Sequence, residues 1–366
     1  MAGHKQKKRK IAHSQRSEDN GGEIDTSKPT AVFTPSGGRS QTFSVAIAGS
    51  IIANAKSIEQ KTYLAGSIAR ALAVFCVDEI VIFDDELPSK KKLRPDECTG
   101  YDDPSHFLAH VLSFLEAPAY MRKTFFPMHI NLKFAGTLPS LDMPHHLRAH
   151  EWCEYREGVA VAKDQYSMYG DGKSKKQKGS KEEDGSGVYT LVDTGLPEYV
   201  RIPNLEIPEY TRTTVRFKSD DPADGADAVA PSAPREEVGY YWGYAVRRCE
   251  TLSAVFTECP FDGGYDLSFG TSERGTPLSE VVASKTSIPK YKHAIVVIGG
   301  VAGLENAVKV DKELQARGIK PMEVDQVFDY WVNLLPGQGS RTIRAEEAVW
   351  LGLMGLQPVV ERNNSL

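Results

Sequence analysis

Three glycine-bearing loops in the last third of the sequence carry the residue types best suited to chemistry. They are Gly270-Thr271-Ser272-Glu273-Arg274-Gly275, Gly299-Gly300-Val301-Ala302-Gly303-Leu304-Glu305 and Asn333-Leu334-Leu335-Pro336-Gly337-Gln338-Gly339-Ser340-Arg341-Thr342-Ile343-Arg344. Each follows an apolar run of strand type, at residues 265–269, 294–298 and 327–332. If these strands are parallel, the three loops share one end of a sheet. Glycines there let backbone N–H and C=O groups approach a flat ligand such as an adenine and its ribose, which bulky side chains prevent. Taken singly, each loop also fits an ordinary structural turn. The sequence has neither GxGxxG at a first βα turn nor GxxxxGK[ST], so the common dinucleotide and triphosphate cradles are disfavoured.

The elements that must position these loops follow from hydrophobic spacing. Phe43-Ser44-Val45-Ala46-Ile47-Ala48 reads as a first strand, stopped by Gly49-Ser50. Ser57 and Gln60 form a capping box ahead of Leu64, Ile68, Leu72 and Phe75 at helical spacing, and the run Ile80-Val81-Ile82-Phe83 follows at once. Strand, helix and strand make a βαβ unit, which predicts an α/β fold with a ligand crevice near strand C-termini. Helical spacing continues through Phe107, Leu108, Val111, Leu112 and Leu115.

Residues 144–248 change texture to short β-like pieces, at 158–161, 188–192 and 213–217, and are expected to form an inserted small β-barrel. The stretches 169–186 and 219–235 are rich in polar residues and glycine and are read as mobile hairpin loops. Residues 327–332 are expected to be a third strand of the last part, and residues 346–354 a deeply buried closing helix with acidic residues near its N-terminus.

With 366 residues, 40% hydrophobic and 25% charged, the chain is long enough for one large core or two smaller ones. A net charge of −5 means that any polyanion would have to meet a local basic surface. Residues 1–40 are expected to be a disordered tail, with Lys5-Gln6-Lys7-Lys8-Arg9-Lys10 as a nuclear address, a nucleic-acid contact or a solvated charge run. Lys173-Ser174-Lys175-Lys176-Gln177-Lys178 offers a second basic segment, either phosphate-binding or merely solvated. Five cysteines without a CxxC pair point to a reduced, intracellular chain, and no apolar run is long enough to cross a bilayer. His145, His146, His150 and Cys153 fit no standard zinc spacing, so no metal is expected. Tyr240, Tyr241, Trp242 and Tyr244, near Arg247 and Arg248, offer stacking and phosphate contacts for unpaired RNA or, especially for Trp242, packing inside the barrel.

The three loops, in this order and together with Tyr63-Leu64-Ala65-Gly66, Cys76-Val77-Asp78-Glu79-Ile80-Val81 and Tyr241-Trp242-Gly243-Tyr244, resemble those of SPOUT-class RNA methyltransferases with an inserted OB-like domain. The likeness runs from about residue 43 to residue 358 and is nearest to the eukaryotic SPOUT domain-containing methyltransferase 1 family. It implies a SPOUT domain in two parts, 41–143 and 249–366, with the OB-like barrel at 144–248 between them. It also implies a C-terminal trefoil knot, an exception to the rule that chains avoid knots. S-adenosylmethionine would lie bent in the three loops, with Gly299 and Gly300 on its ribose and methionine side. Asn333, Leu335, Gln338, Gly339, Thr342 and Ile343 would surround its adenine. Arg274 and Glu273 become the candidate catalytic pair, and a homodimer is implied because such sites are completed between subunits.

Methyl transfer from a sulfonium needs in-line positioning and a nucleophile with a free lone pair. The segment Ile343-Arg344-Ala345-Glu346-Glu347-Ala348 resembles a Leu-Arg-x-Glu-Thr-Ala pattern of bacterial ribosomal uridine-N3 methyltransferases, which favours uridine N3 in ribosomal or other structured RNA over a ribose 2′-oxygen. For that acceptor Arg274 would stabilise the uridine anion while Glu273 or a water takes the proton. The alternative is a non-catalytic RNA-binding or spindle-associated scaffold that kept the fold. Intact glycines with Asn333, Gln338 and Arg274 argue against it. The basic tail makes the nucleus or nucleolus the expected location, with the cytoplasm as the other.

Overall fold

A computed structural model describes residues 37–86, 97–162, 188–284 and 288–364, together with Pro35 and Arg94. Both basic lysine segments and the expected loop at 169–186 lie outside the described residues.

The strands in chain order are β1 (Thr42–Ala48), β2 (Glu79–Phe83), β3 (Tyr155–Val161), β4 (Tyr189–Asp193), β5 (Val200–Pro203), β6 (Arg212–Phe217), β7 (Ala226–Val229), β8 (Ala245–Cys249), β9 (Leu267–Pro277), β10 (His293–Ile298) and β11 (Tyr330–Asn333). Six of them form one sheet in the order β11-β9-β10-β1-β2-β8. All five pairings in it are parallel. Parallel sheets need both faces covered, and the period-two alternation divides the central strands accordingly. Val45 and Ile47 of β1, with Val296 and Ile298 of β10, join one core. Ala46, Ala48, Ile295 and Val297 join the other.

The first face is covered by helix α1 (Ile58–Val74), helix α2 (Pro104–Glu116) and the C-terminal helix Ala345–Asn364, through Ile68, Leu72, Leu108, Leu112, Val349 and Leu353. The Ser57–Gln60 capping box that starts α1 is formed in both directions. Asp103 caps α2 by accepting from the His106 N–H. The opposite face is covered by Leu252, Val255, Leu304, Val308 and Leu314 from shorter helices.

β3 to β7 form a separate antiparallel sheet in the order β5-β4-β3-β6-β7. It curls until its edges meet: a Cβ at Gly225, just before β7, would lie 3.6 Å from the Arg201 carbonyl of β5. The result is a nearly closed barrel around Val192, Val200, Ile202, Val215 and Phe217. Four expectations need correction. The stretch 219–235 is not one loop but contains β7, because Ala226 and Ala228 pack on the barrel core while Asp227 faces out. The chain is back in the parallel sheet by Ala245, since β8 pairs with β2, a few residues before the expected return at 249. The strand expected at 327–332 begins only at Tyr330, preceded by a 3-10 turn over Pro321–Val327. The closing helix is buried on one face only, and Met354 is 66% exposed.

The barrel is joined to α2 by two buried carboxylates that share one part-exposed arginine. The Glu116 carboxylate at the end of α2 accepts both terminal nitrogens of Arg212 on β6, at 2.6 and 3.0 Å, and lies 2.9 Å from His145 Nε2. Arg212 Nε also donates to Glu157 on β3 at 2.6 Å, and Glu157 accepts from Thr214 and from the Trp242 indole at 2.7 Å each. Burial alone would raise the Glu116 carboxyl, but Arg212 and His145 outweigh it and hold the group well below the usual carboxylate range.

Candidate active site

A cleft of about 1200 Å³ opens at the C-terminal ends of β9, β10 and β11. Its walls are the three glycine-bearing loops, the start of the C-terminal helix, and residues of the turn before α1 and of α1 itself. The position is the one elementary topology dictates: ligands of open α/β sheets bind beyond the carboxyl ends of the strands.

The first loop is an excursion from a strand. β9 pairs Gly270 with Trp331, but the next residue of β11, Val332, pairs with Thr276. Residues 271–275 therefore bulge out of the ladder and over the cleft. Two bonds hold the bulge: Thr271 Oγ1 donates to the Val297 carbonyl at 3.0 Å, and Asn333 Nδ2 donates to the Glu273 carbonyl at 2.7 Å. Asn333 Oδ1 in turn accepts from the Leu335 N–H at 3.1 Å, so one side chain ties the first loop to the third. At its root, the Ser268 N–H and hydroxyl both donate to Asp329, locking β9 to the approach of β11.

The second loop is packed from behind. A Cβ at Gly300 would lie 2.5 Å from Ser50 Oγ and 2.7 Å from Asp85 Oδ2, two groups already bonded to each other at the ends of β1 and β2. A Cβ at Gly299 would lie 2.8 Å from the Gly303 backbone, and Gly303 itself has φ +73°. These positions exclude side chains for steric reasons, and the same bareness leaves backbone groups facing the cleft. Gly339 differs: nothing lies within 4 Å of its Cβ position. The lining of bare backbone, a few amides and hydroxyls and no cluster of metal-binding side chains among the described residues suits a flat, polar organic ligand.

Of the residues singled out in the sequence, Glu273, Arg274, Gly299, Gly300, Asn333, Gln338, Thr342 and Ile343 line this one cleft. Leu335 and Gly339 line a smaller adjoining hollow with Trp350 and Leu351, which shares Gln338, Thr342 and Ile343 with the cleft. Arg274 is half exposed and its guanidinium is ion-paired with Glu305, at the start of the helix Leu304–Val310. Glu273 is exposed at the cleft rim.

Sequence reasoning missed one wall. Gln60, Tyr63, Leu64 and Ser67 of α1 line the cleft, with Asn54 and Lys56 before them. The polar members of that stripe, set beside the apolar Ile68 and Leu72 stripe, were the available signal. The RNA-stacking reading of the aromatic cluster is corrected by burial. Tyr241 and Tyr244 donate to the Leu72 and Leu112 carbonyls inside the α/β core, and Trp242 is buried against Glu157 and Tyr155. Arg247 is paired with Glu79, and Arg248 with Asp84 and Asp103, so these two cations hold the fold. His145 and His146 both hydrogen-bond the Glu116 carbonyl. Among the described residues no helix is long and apolar enough to cross a membrane.

A human protein called 28S rRNA (uridine-N(3))-methyltransferase is 44% identical over 329 residues, covering 88% of this chain and 79% of that protein. Its Drosophila melanogaster namesake is 38% identical over 328 residues, 86% of this chain and 62% of that protein. A Caenorhabditis elegans protein called putative methyltransferase spot-1 is 32% identical over 345 residues, 89% of this chain and 82% of that protein. The family described as putative RNA methyltransferase matches residues 42–356, which include both sheets and every loop of the cleft, and the chain belongs to that family.

Proposed function

We propose that the protein transfers a methyl group from S-adenosylmethionine to N3 of a uridine in large-subunit ribosomal RNA. The observation that carries this reading is the convergence of three glycine-bearing loops on one cleft at the ends of β9, β10 and β11. The relatives named as 28S rRNA uridine-N3 methyltransferases supply the acceptor.

When bound, the sulfonium supplies an electrophilic methyl group. The chain's own residues do the rest. Gly299 and Gly300 offer backbone to the ribose and methionine side, and Asn333, Leu335, Gln338, Gly339, Thr342 and Ile343 surround the adenine. Uridine N3 must lose its proton before its lone pair is free, and Glu273, exposed at the rim, or a water takes it. Arg274 then turns from Glu305 to the uridine oxygens and stabilises the anion.

The fold reading is SPOUT with a trefoil knot. In its support, β11 stands at the sheet edge beyond β9, yet the helix that follows it returns to pack on α1 and β10. The nearly closed five-stranded barrel is read as the OB-like domain that grips RNA. A homodimer is supported by the uncovered apolar surface of Met354 and Leu335 beside the part-buried Trp350 and Leu351. A ribosomal substrate would place the protein in the nucleus or nucleolus.

The test is methyl transfer from tritiated donor to large-subunit RNA taken from cells lacking the gene, with digestion to nucleosides. Label in 3-methyluridine is the expected result. Label in a 2′-O-methylated nucleoside would overturn the acceptor, and no label with a donor-binding protein would overturn the activity.

A further inference from the structure

The cleft is larger than one small ligand requires. Pockets for single small molecules run to about 1000 Å³, and this cleft is about 1200 Å³. The glycine-bearing loops account for one set of walls. The α1 wall has a different chemistry: Gln60, Tyr63, Leu64 and Ser67 recur at the i, i+3, i+4, i+7 spacing of one helix face and all line the cleft. The neighbouring face, with Ala65, Ile68, Ala69 and Leu72, is buried in the core. Tyr63 therefore contributes nothing to that core, and 48% of it is exposed. Its ring is an aromatic surface held on a rigid, capped helix inside the cleft. Lys56 and Arg341 line the same cleft, and neither is ion-paired among the described residues.

We propose that Tyr63 is the platform on which the acceptor base stacks, with Lys56 and Arg341 holding the phosphates of the same RNA strand. The proposal rests on reading the cleft as the methyl-transfer site. A base presented for reaction at a ring atom must leave its helical stack, and an aromatic face replaces the stacking it loses. Stacking on a ring is indifferent to the phenol hydroxyl, whereas a hydrogen-bonding role would depend on it.

The experiment measures binding of a fluorescent decauridylate, and of an abasic decamer of the same length, to Tyr63→Ala and Tyr63→Phe by anisotropy. Donor binding by calorimetry and oligomeric state by sedimentation serve as controls. Loss of one stacked base weakens decauridylate binding about tenfold in Tyr63→Ala, with the abasic decamer, donor binding and oligomeric state unchanged and Tyr63→Phe like wild type. Wild-type affinity in Tyr63→Ala would overturn the proposal. So would equal weakening in Tyr63→Phe, equal weakening of the abasic decamer, or loss of the oligomer. Failure of the wild-type protein to methylate large-subunit RNA would sink the proposed activity instead, and the binding comparison separates the two.

Discussion

The cleft and the junction between the two sheets are both polar, but one presents bare backbone and the other locks charged side chains together. At the junction Glu116, Glu157, Arg212, His145 and Trp242 each have partners supplied by the protein itself. Gly243, with φ +85°, leaves room for them, since a Cβ there would lie 2.6 Å from Glu116 Oε1. In the cleft, Glu273 is exposed, Arg274 is half exposed with Glu305 as its one ion-pair partner among the described residues, and the second loop presents bare backbone at Gly299, Gly300 and Gly303. A region whose polar groups are satisfied, here all but His145 Nδ1 among the atoms of these five side chains, resists change. A region whose charged groups are exposed and held at its surface can exchange their contacts for a ligand. The protein is rigid where barrel and sheet meet and adaptable at the cleft.

Substitutions in each region should separate these roles. Arg274→Ala should lower turnover by about a hundredfold to a thousandfold, the effect of losing one donor to a developing anion, with donor affinity by calorimetry unchanged. Lost donor binding would make Arg274 a cofactor residue. Arg212→Ala should cost about 3 kcal/mol of stability in chemical denaturation, toward the low end for a buried pair, because its side chain is 36% exposed while two carboxylates lose their partner. Equal stability of wild type and variant would mean that the junction is not locked by charge.

Acid should loosen the junction. Burial, with His145 beside it, pushes the His146 imidazole down to about 3 from 6.5. The unfolded chain therefore takes up a proton that the folded one refuses, and stability falls as pH drops from about 6.5 toward 3. Glu116, depressed in the folded protein, adds a second loss as pH falls below its ordinary 4.5. His146→Gln should reduce the upper part of this slope in denaturation midpoints measured against pH, leaving the share of His110, whose imidazole burial lowers to about 4, and the lower part.

The smallest effects compare two glycines. Gly300→Ala must part the Ser50–Asp85 hydrogen bond or move the loop. A bond to a charged group is worth about 1.5–3 kcal/mol, so parting it should cost about that much stability in chemical denaturation, whereas a loop that moves to spare it should lower donor affinity instead. Gly339→Ala meets no protein atom within 4 Å, so stability should not change. Any loss of donor affinity there would report contact with the donor itself.

Much of the architecture was legible in local sequence. The Ser57–Gln60 box, the α1 core stripe and the apolar runs of β1, β2 and β10 depend on neighbours in the chain, and their pattern specifies them. The glycines at 299, 300 and 303 likewise announced backbone that side chains would block. The loop over 271–275 was recognisable, but not that it is a bulge from a continuing strand, because the interrupted pairing lies on β11. β7 was hidden because a short edge strand of Ala, Asp and Val has little pattern of its own.

What the sequence alone determined, then, is which segments are strands and helices and where backbone must be bare, since period, capping and steric size act over a few residues. Only the tertiary structure decided which side chains meet. Glu116 and Arg212 stand 96 residues apart, and nothing local marks them as partners. Arg247 and Arg248 were ambiguous until their carboxylates appeared. Tyr63 became a cleft residue only when the sheet order brought the ends of β9, β10 and β11 beside α1. Burial and charge pairing are properties of three-dimensional proximity, and a chain with several faces to its helices leaves that choice to packing.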